Sequence, residues 1–143
     1  MLLARVKRAA FLVGVLNCQD GRGDKVQQLE QWFPLHRLAV ADLPRYGTFP
    51  AVYALRDAAT KDILKFGKTK HLRQRIFCNY LGGFGGATTQ RIHSALFSAS
   101  AIEGVELSWL ETSDEQEAER KEKEFRNAYK KRHGRRPEWD KQG

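Results

Sequence analysis

The chain has 143 residues, with 25 Lys and Arg against 17 Asp and Glu and a formal net charge of +8. Hydrophobic residues make up 41% and charged residues 29%, which is typical of a soluble globular protein and excludes disorder along the whole chain. The length suits one domain rather than two. A basic excess of this size favours a polyanionic partner, most often nucleic acid, over a protein that is merely basic.

Cysteine content and hydropathy narrow the cellular setting. The two cysteines, Cys18 and Cys78, form no CxxC pattern, so we expect neither a zinc site nor a disulfide framework. Their scarcity suits a reducing compartment, and we expect a cytoplasmic protein, associated with the nucleoid if the source is bacterial or a phage. No apolar run approaches the roughly 20 residues that span a bilayer, so we expect no membrane partner.

Residues 1–48 are predicted to form an N-terminal extension that packs on or elaborates a core domain of residues 49–143. A basic start and an apolar run over residues 9–16 resemble a secretory signal, but no convincing cleavage site follows, and a buried strand or helix is favoured. Asp24 is placed to cap a helix over residues 25–32, which Pro34 ends. Residues 35–43 show only weak periodicity and are left unassigned.

Two strands are predicted to open the core domain. Residues 51–56 alternate in polarity and size, so successive side chains should face opposite sides of a sheet. The polar connection 57–62 has hairpin length, which predicts an antiparallel second strand over residues 63–68. The expected partition places Val52 and Ala54 opposite Tyr53 and Leu55 on the first strand, and Ile63, Lys65 and Gly67 opposite Leu64 and Phe66 on the second.

Helices and a third strand are predicted to follow. Thr69 can cap a helix whose buried side consists of Leu72, Ile76 and Tyr80. The glycine-rich stretch 82–86 lacks the GK[ST] ending of a phosphate-binding P-loop, and we expect a mobile loop that contacts a ligand. Residues 88–97 form a further helix, and residues 104–111 alternate as a third strand.

The last predicted helix carries an unusual acidic residue. Ser113 and Gln116 have the spacing of a capping box, and a basic last turn precedes Gly134, as is typical of a helix end. The apolar stripe of this helix consists of Ala118, Phe125 and Tyr129. Glu122 lies in the same stripe. Because a carboxylate aimed at a core is costly, Glu122 should pair with a core arginine or bind a metal ion.

Several of these segments together resemble the GIY-YIG nuclease superfamily. VYAL at residues 52–55 and KFGKTKHLRQR at residues 65–75 stand where that family has its two signatures, and EAERKEKEFRNAY at residues 117–129 resembles the helix with its metal-binding glutamate. The spacing of the family's glycine, threonine, leucine and arginine fits Gly67, Thr69, Leu72 and Arg75. The resemblance covers roughly residues 50–130 and implies an α+β fold, a small three-stranded antiparallel sheet flanked by helices.

The chain departs from the family pattern at four places. Lys65 replaces the second signature's tyrosine, as in a branch that reads KIG, and Ala51 replaces a glycine. Asn79 stands where His or Tyr is expected, with Tyr80 one step later. Since an α-helix turns by about 100° per residue, Tyr80 should point elsewhere unless the helix ends or bulges there. The family's late asparagine has no clear counterpart; Asp140 is one possibility and is not assigned.

The resemblance implies a catalytic set of Tyr53, Lys65, Arg75, Tyr80, His93 and Glu122. Glu122 would hold a single divalent cation, Mg²⁺ or Mn²⁺, for which one carboxylate suffices. Tyr53 would orient or deprotonate the attacking water, and Arg75 would bind the phosphate. Lys65 would replace the second tyrosine by lowering the pKa of Tyr53 or of the water, and His93 would transfer a proton. Each of these side chains also has a purely structural interpretation.

The resemblance and the charge together favour a metal-dependent endonuclease that hydrolyses DNA phosphodiester bonds, of the restriction, mobile-element or repair type. The alternative is a non-catalytic nucleic-acid-binding module with a degenerate GIY-YIG fold, and an interaction domain without nucleic acid ranks last. The partner would be DNA, together with a second copy of the chain or a protein that supplies specificity. Phosphate contacts are expected from Lys68, Lys70, Arg73, Arg91, Lys130, Lys131 and Arg132.

Overall fold

A four-stranded antiparallel sheet organises the computed structural model, which describes residues 29–38, 48–98 and 101–140. The strands are β1 (Phe33–Pro34), β2 (Ala51–Asp57), β3 (Ile63–Thr69) and β4 (Val105–Glu111), in the order β1-β4-β2-β3. The helices are a π-helix (Gln74–Tyr80), α1 (Ala87–Leu96) and α2 (Glu115–His133), with 3₁₀ turns at Leu35–Arg37, Ala101–Gly104 and Glu138–Asp140. The α+β class is confirmed, and the predicted number of three strands is wrong.

The fourth strand, β1, directly follows the segment 25–32 predicted to be a helix. Residues 29–32 are not helical, and Phe33 and Pro34 pair with Leu107 and Glu106 of β4. The Phe33 ring stacks on Trp109, with 5.1 Å between ring centroids. Proline is tolerated there because β1 is an edge strand. The predictions for residues 1–28, including the Asp24 cap, lie outside the described residues.

The two faces of the sheet bury separate clusters, as the predicted alternation requires. We call one the α2 face, because helix α2 packs on it, and the other the tyrosine face. The α2 face is built from Leu29, Trp32, Val52, Ala54, Ile63, Phe66, Phe125 and Tyr129. The tyrosine face includes Tyr53, Leu55, Leu64, Leu72, Ile76, Tyr80, Ile92 and Leu107. Adjacent residues of β2 therefore belong to different cores.

A β-bulge changes the partition at the start of β3. Leu55 is opposite Lys65 and Arg56 is opposite Ile63, so Leu64 is an extra residue in the ladder. Ile63 consequently joins the α2 face and Leu64 joins the tyrosine face, the reverse of the predicted partition. Beyond the bulge, at residues 65–69, the register agrees with the prediction.

Helix α2 begins one residue later than the predicted capping box. The Asp114 carboxylate accepts a hydrogen bond of 2.7 Å from the Glu117 backbone N–H, and the Glu117 carboxylate accepts one of 2.7 Å from the Ser113 backbone N–H. The predicted pair of Ser113 and Gln116 is therefore wrong. The helix ends as predicted, at Gly134 with a positive φ of 73°. None of the described helices is long and apolar enough to cross a membrane.

Candidate active site

The candidate site is built around Tyr53, whose side chain lies across the neighbouring strand. Tyr53 on β2 is opposite Gly67 on β3. A Cβ atom on Gly67 would lie 2.3 Å from the Tyr53 Cζ and 2.4 Å from its hydroxyl oxygen. The glycine is therefore needed at this position because the phenol ring occupies the space of its missing side chain. The Tyr53 hydroxyl is thereby directed over β3, which is an edge strand of the sheet.

The π-helix brings Tyr80 to the Tyr53 hydroxyl. Its i→i+5 pattern includes the bond from the Leu81 N–H to the Ile76 carbonyl, at 2.9 Å, and it places residues five apart on one side. Tyr80 therefore shares a side with Arg75, whose guanidinium carbon is 6.0 Å from the Tyr80 ring centroid. The hydroxyls of Tyr80 and Tyr53 are hydrogen-bonded to each other. An α-helix would have directed Tyr80 elsewhere, and the π-helix is the bulge that lets its side chain approach Tyr53.

Both hydroxyls are held in the neutral form. Burial is the largest cause that raises the pKa of Tyr53 well above its ordinary value, followed by the proximity of Tyr80. Burial also raises the pKa of Tyr80, while Arg75 acts in the opposite direction on both phenols. The charge of Glu122 contributes to both increases. Glu122 is therefore electrostatically coupled to the tyrosine pair.

A charged cluster occupies the edge of β3 beside the tyrosine pair. Arg126 of α2 contacts Glu122, with 3.2 Å between nitrogen and oxygen, and it binds Asp140 with distances of 2.5 Å and 3.2 Å. The Lys65 ammonium lies 3.4 Å from the Asp140 carboxylate. Asp140 is buried and comes from the last 3₁₀ turn. The structure thus brings Lys65 and Glu122 together through two residues, Arg126 and Asp140.

Burial weakens the charged forms of two members of this cluster. It raises the pKa of Glu122 above its ordinary value, and the opposing charges of Arg126 and Lys65 do not fully offset it. Burial likewise lowers the pKa of Lys65, although Asp140 and Glu122 favour its ammonium form. Glu122 is therefore a desolvated carboxylate despite its positive neighbours, and its side chain is 13% exposed.

The residues at this edge fit a magnesium ion better than a zinc ion. Within the described ranges, no three His, Cys, Asp or Glu side chains are grouped so that they could hold a metal ion. Zinc sites need three or four such protein ligands. Magnesium keeps most of its waters and takes one or two carboxylates, which Glu122 and the neighbouring Asp140 can supply. A cation beside the Glu122 carboxylate would favour its ionised form.

His93 lies behind the π-helix rather than within the charged cluster. Its Nδ1 is 2.8 Å from the Tyr80 carbonyl oxygen and can donate a hydrogen bond to it, and its ring contacts Phe97, with 4.8 Å between centroids. A Cβ on Gly83 would lie 3.0 Å from the same imidazole. These contacts fix the end of the π-helix, and so the position of the Tyr80 backbone.

The predicted phosphate contacts are divided among three regions. Lys68 binds Glu115 at 3.0 Å, and Lys70 lies 4.0 Å from the same carboxylate. Arg91 donates to the Trp139 carbonyl at 3.1 Å, and Arg73 is half-buried at the start of the π-helix. The remaining three, Lys130, Lys131 and Arg132, are exposed in the last turn of α2. Of these residues, Lys70 lines a pocket together with Arg75.

A pocket of about 230 Å³ opens at Arg75, whose guanidinium carbon lies 6.0 Å from the Tyr80 ring centroid. Its lining includes Lys70, Gln74, Arg75 and Asn79, together with Glu115. The Arg75 Nε is buried and has no hydrogen-bond partner among the residues that the structure describes. A buried donor without an acceptor is costly, and the described residues around it satisfy the Arg75 guanidinium only in part.

Two residues of the site, Arg126 and Asp140, were not assigned from the sequence. Arg126 follows Glu122 by four residues, the helical spacing of an ion pair, and this signal was available. Asp140 carries no local pattern, because its position depends on the turn after α2 packing on β3, 75 residues from Lys65. The expected core arginine for Glu122 is thus present as Arg126.

Comparison of the chain with protein-family models, with curated proteins and with solved structures finds no match.

Proposed function

We propose that this protein is a metal-dependent endonuclease that hydrolyses phosphodiester bonds of DNA. One observation carries the proposal: Tyr53 lies across Gly67 to reach Tyr80, beside Arg75 and within the electrostatic influence of Glu122. Hydrolysis of a phosphodiester needs an oriented water, positive charge at the phosphate and a stabilised leaving oxygen. These residues offer each of the three within one small region, on a chain of net charge +8.

Arg75 is the residue best placed to bind the scissile phosphate. Its guanidinium lines the 230 Å³ pocket, and its buried Nε requires an acceptor. A phosphate there would receive charge-assisted hydrogen bonds, which stabilise the charge that develops in the transition state. Lys70 at the rim adds positive charge, once the phosphate displaces it from Glu115.

Tyr53 and Tyr80 orient the attacking water rather than deprotonate it. Burial raises the pKa of both phenols, so each hydroxyl keeps its proton at neutral pH. A neutral hydroxyl can donate one hydrogen bond and accept another, and the mutual bond leaves the pair able to position a third oxygen. The ammonium of Lys65, stabilised by Asp140, lowers the pKa of a water placed near it.

Glu122 is the residue that would hold the metal ion, with Asp140 as its neighbour. When bound, Mg²⁺ supplies positive charge that neutralises the phosphate and acidifies a coordinated water. Arg126 contacts both carboxylates in the free protein and thereby orients them. The pairing also explains how a half-buried glutamate is tolerated on an otherwise apolar stripe.

The proposal is tested by nicking of supercoiled plasmid in the presence of Mg²⁺. Glu122→Gln should reduce cleavage by about 100-fold or more, because a metal ion contributes several kcal/mol of transition-state stabilisation. Glu124→Gln is the matched control, since Glu124 lies on the same helix and pairs at the surface with Arg120. EDTA should abolish cleavage by the native chain. Cleavage that survives Glu122→Gln would contradict the assigned site.

A non-catalytic nucleic-acid-binding module is the second candidate function. It is favoured by the burial of Tyr53 and by the ion pair that already occupies Glu122. In that case the native chain would bind plasmid with the salt dependence of phosphate contacts and would leave it uncut with Mg²⁺ or Mn²⁺. Binding and cleavage measured on the same preparation separate the two functions.

A further inference from the structure

The loop between the π-helix and α1 presents one large aromatic side chain to solvent. Phe84 is 72% exposed and stands between two pairs of glycines, at positions 82–83 and 85–86. Phe84 and Phe97 are the exposed large hydrophobic residues of the described chain. A single exposed phenylalanine is not unusual in itself. Its setting is what distinguishes Phe84.

The backbone that carries Phe84 is tied to the π-helix on both sides of the residue. The Phe84 N–H donates to the Cys78 carbonyl at 3.1 Å, and the Asn79 amide donates to the Phe84 carbonyl at 2.5 Å. The Gly83 N–H donates to the Asn79 carbonyl at 2.8 Å. The ring is therefore held outward by a bonded backbone rather than by packing of its own side chain.

Two glycines are required for this presentation. Gly83 has a positive φ of 79°, a conformation that other residues rarely adopt. A Cβ on Gly82 would lie 2.6 Å from the Cys78 carbonyl oxygen and 3.2 Å from the Phe84 ring. The glycines thus allow a loop conformation in which the Phe84 ring is exposed and adds little to the buried apolar surface.

The exposed ring adjoins the proposed phosphate pocket. Asn79, whose side chain holds the Phe84 carbonyl, also lines the pocket with Arg75, Gln74 and Lys70. A phosphate held at Arg75 would carry its own sugar and base out of this pocket. Aromatic faces stack on nucleobases without regard to sequence, and such stacking serves unpaired bases best.

We propose that Phe84 stacks on an unpaired nucleobase of the bound strand, next to the phosphate that Arg75 holds. The inference rests on the proposed function and specifies its substrate class: DNA with an unpaired or unstacked base beside the cleaved bond. A protein partner fits the loop less well, because glycines flank Phe84 and provide no surrounding apolar surface for an interface core.

The test measures binding of the full-length chain to fluorescent DNA by anisotropy, with EDTA present to prevent cleavage. Three probes are compared: a fully paired duplex, the same duplex with a short unpaired stretch, and that stretch made abasic. Phe84→Ala should bind the unpaired stretch about 5- to 100-fold more weakly than the native chain and should bind the abasic probe equally well. Phe84→Trp should restore the affinity.

Phe97→Ala is the matched control, because Phe97 is 51% exposed, packs against His93 and does not line the pocket that contains Arg75. It should leave binding to all three probes unchanged. Equal binding by Phe84→Ala and the native chain would overturn the inference, and so would an equal loss on the abasic probe. Phe84-dependent binding without cleavage in Mg²⁺ would keep the stacking role and reject the endonuclease. A native chain that binds none of the probes would reject both.

Discussion

The two faces of one sheet in this protein are used for different purposes. On the α2 face, Phe66 stacks on Phe125 with 5.8 Å between ring centroids, and apolar side chains fill the space. On the tyrosine face, the next residue of β3 is Gly67, and Tyr53 occupies the space that a side chain would take. Two neighbouring residues of one strand therefore belong to an apolar core and to the proposed active site, respectively.

The two faces differ in how their buried polar groups are satisfied. The α2 face is mostly apolar but also buries the Arg56 guanidinium, which lies 4.2 Å from the Trp32 ring centroid and binds Glu106 at 2.7 Å. The tyrosine face buries two hydroxyls that satisfy each other and directs them to the edge strand, where the charged cluster of Arg126 and Asp140 begins. Substitutions on the first face should change the free energy of unfolding most, and substitutions on the second should change activity most.

The largest expected effect on stability is on the α2 face. Phe66→Ala should reduce the free energy of unfolding by about 3–5 kcal/mol, since it removes a buried ring and leaves a cavity. Urea denaturation followed by circular dichroism measures the change. Phe97→Ala, at an exposed position, should cost far less. A loss below about 1 kcal/mol for Phe66→Ala would mean that this face is not the stabilising one.

Gly67→Ala tests the other face at the adjacent residue. The added methyl group would lie 2.3 Å from Tyr53 Cζ, so the phenol must move. We expect a loss of about 1–3 kcal/mol in stability and at least about a 10-fold loss of plasmid nicking, because the water-orienting pair is displaced. Gly104→Ala is the control, since nothing lies within 4 Å of its Cβ position. Full activity in Gly67→Ala would contradict the role assigned to Tyr53.

Removing the hydroxyls one at a time tests whether Tyr53 and Tyr80 satisfy each other on the tyrosine face. Tyr53→Phe or Tyr80→Phe alone leaves the other buried hydroxyl without its partner, which should cost about 1–2 kcal/mol. The double variant should recover part of that loss, because no orphaned hydroxyl remains. Chemical denaturation of the four chains gives the coupling energy. Strictly additive losses would show that the two hydroxyls do not satisfy each other.

The smallest effect is a pH dependence of stability that arises at Glu122, in the charged cluster at the edge of β3. Burial raises the pKa of Glu122, so its protonated form favours folding; this contribution is present at low pH and is lost as pH rises through the folded-state pKa. Glu122→Gln resembles the protonated form. The Tm of this variant should therefore equal that of the native chain at about pH 4 and exceed it at neutral pH.

Thermal melts of both chains from acid to neutral pH check this expectation. A Tm difference of constant size, or one that favours native Glu122 at neutral pH, would contradict it. On the α2 face, burial and then a hydrogen bond to Asp62 raise the pKa of Tyr129 to about 12, so this residue does not titrate in the same interval.

Sequence periodicity was sufficient for most of the sheet and its connections. Alternation over β2 and β4 predicted both strands, and the hairpin length of 57–62 predicted the antiparallel pairing of β2 with β3. β1 was missed because two residues, one of them proline, carry no alternation, and its pairing depends on β4 far along the chain. The bulge at Leu64 was missed because nothing in the local pattern shows an extra residue.

For the candidate site, prediction depended on how local each contact is. Glu122 stood out because its apolar stripe and its position on α2 are properties of one helix. Asp140 could not be placed, because its pairing with Lys65 requires the turn after α2 to pack against β3. The close approach of Tyr53 to Gly67 depends on the register between β2 and β3, and the motif residues alone do not predict that register.

The π-helix has a consequence for how this chain can vary over evolution. Each i→i+5 hydrogen bond encloses one more residue than the i→i+4 bond of an α-helix. A π-helix can therefore contain one residue more than an α-helix between two side chains that face the same way, as Arg75 and Tyr80 do here. Spacing in the sequence can then drift by one position while the geometry of the tyrosine pair is inherited unchanged. Selection at this site would then preserve the direction of the Tyr80 hydroxyl, while the number of residues between Arg75 and Tyr80 could change.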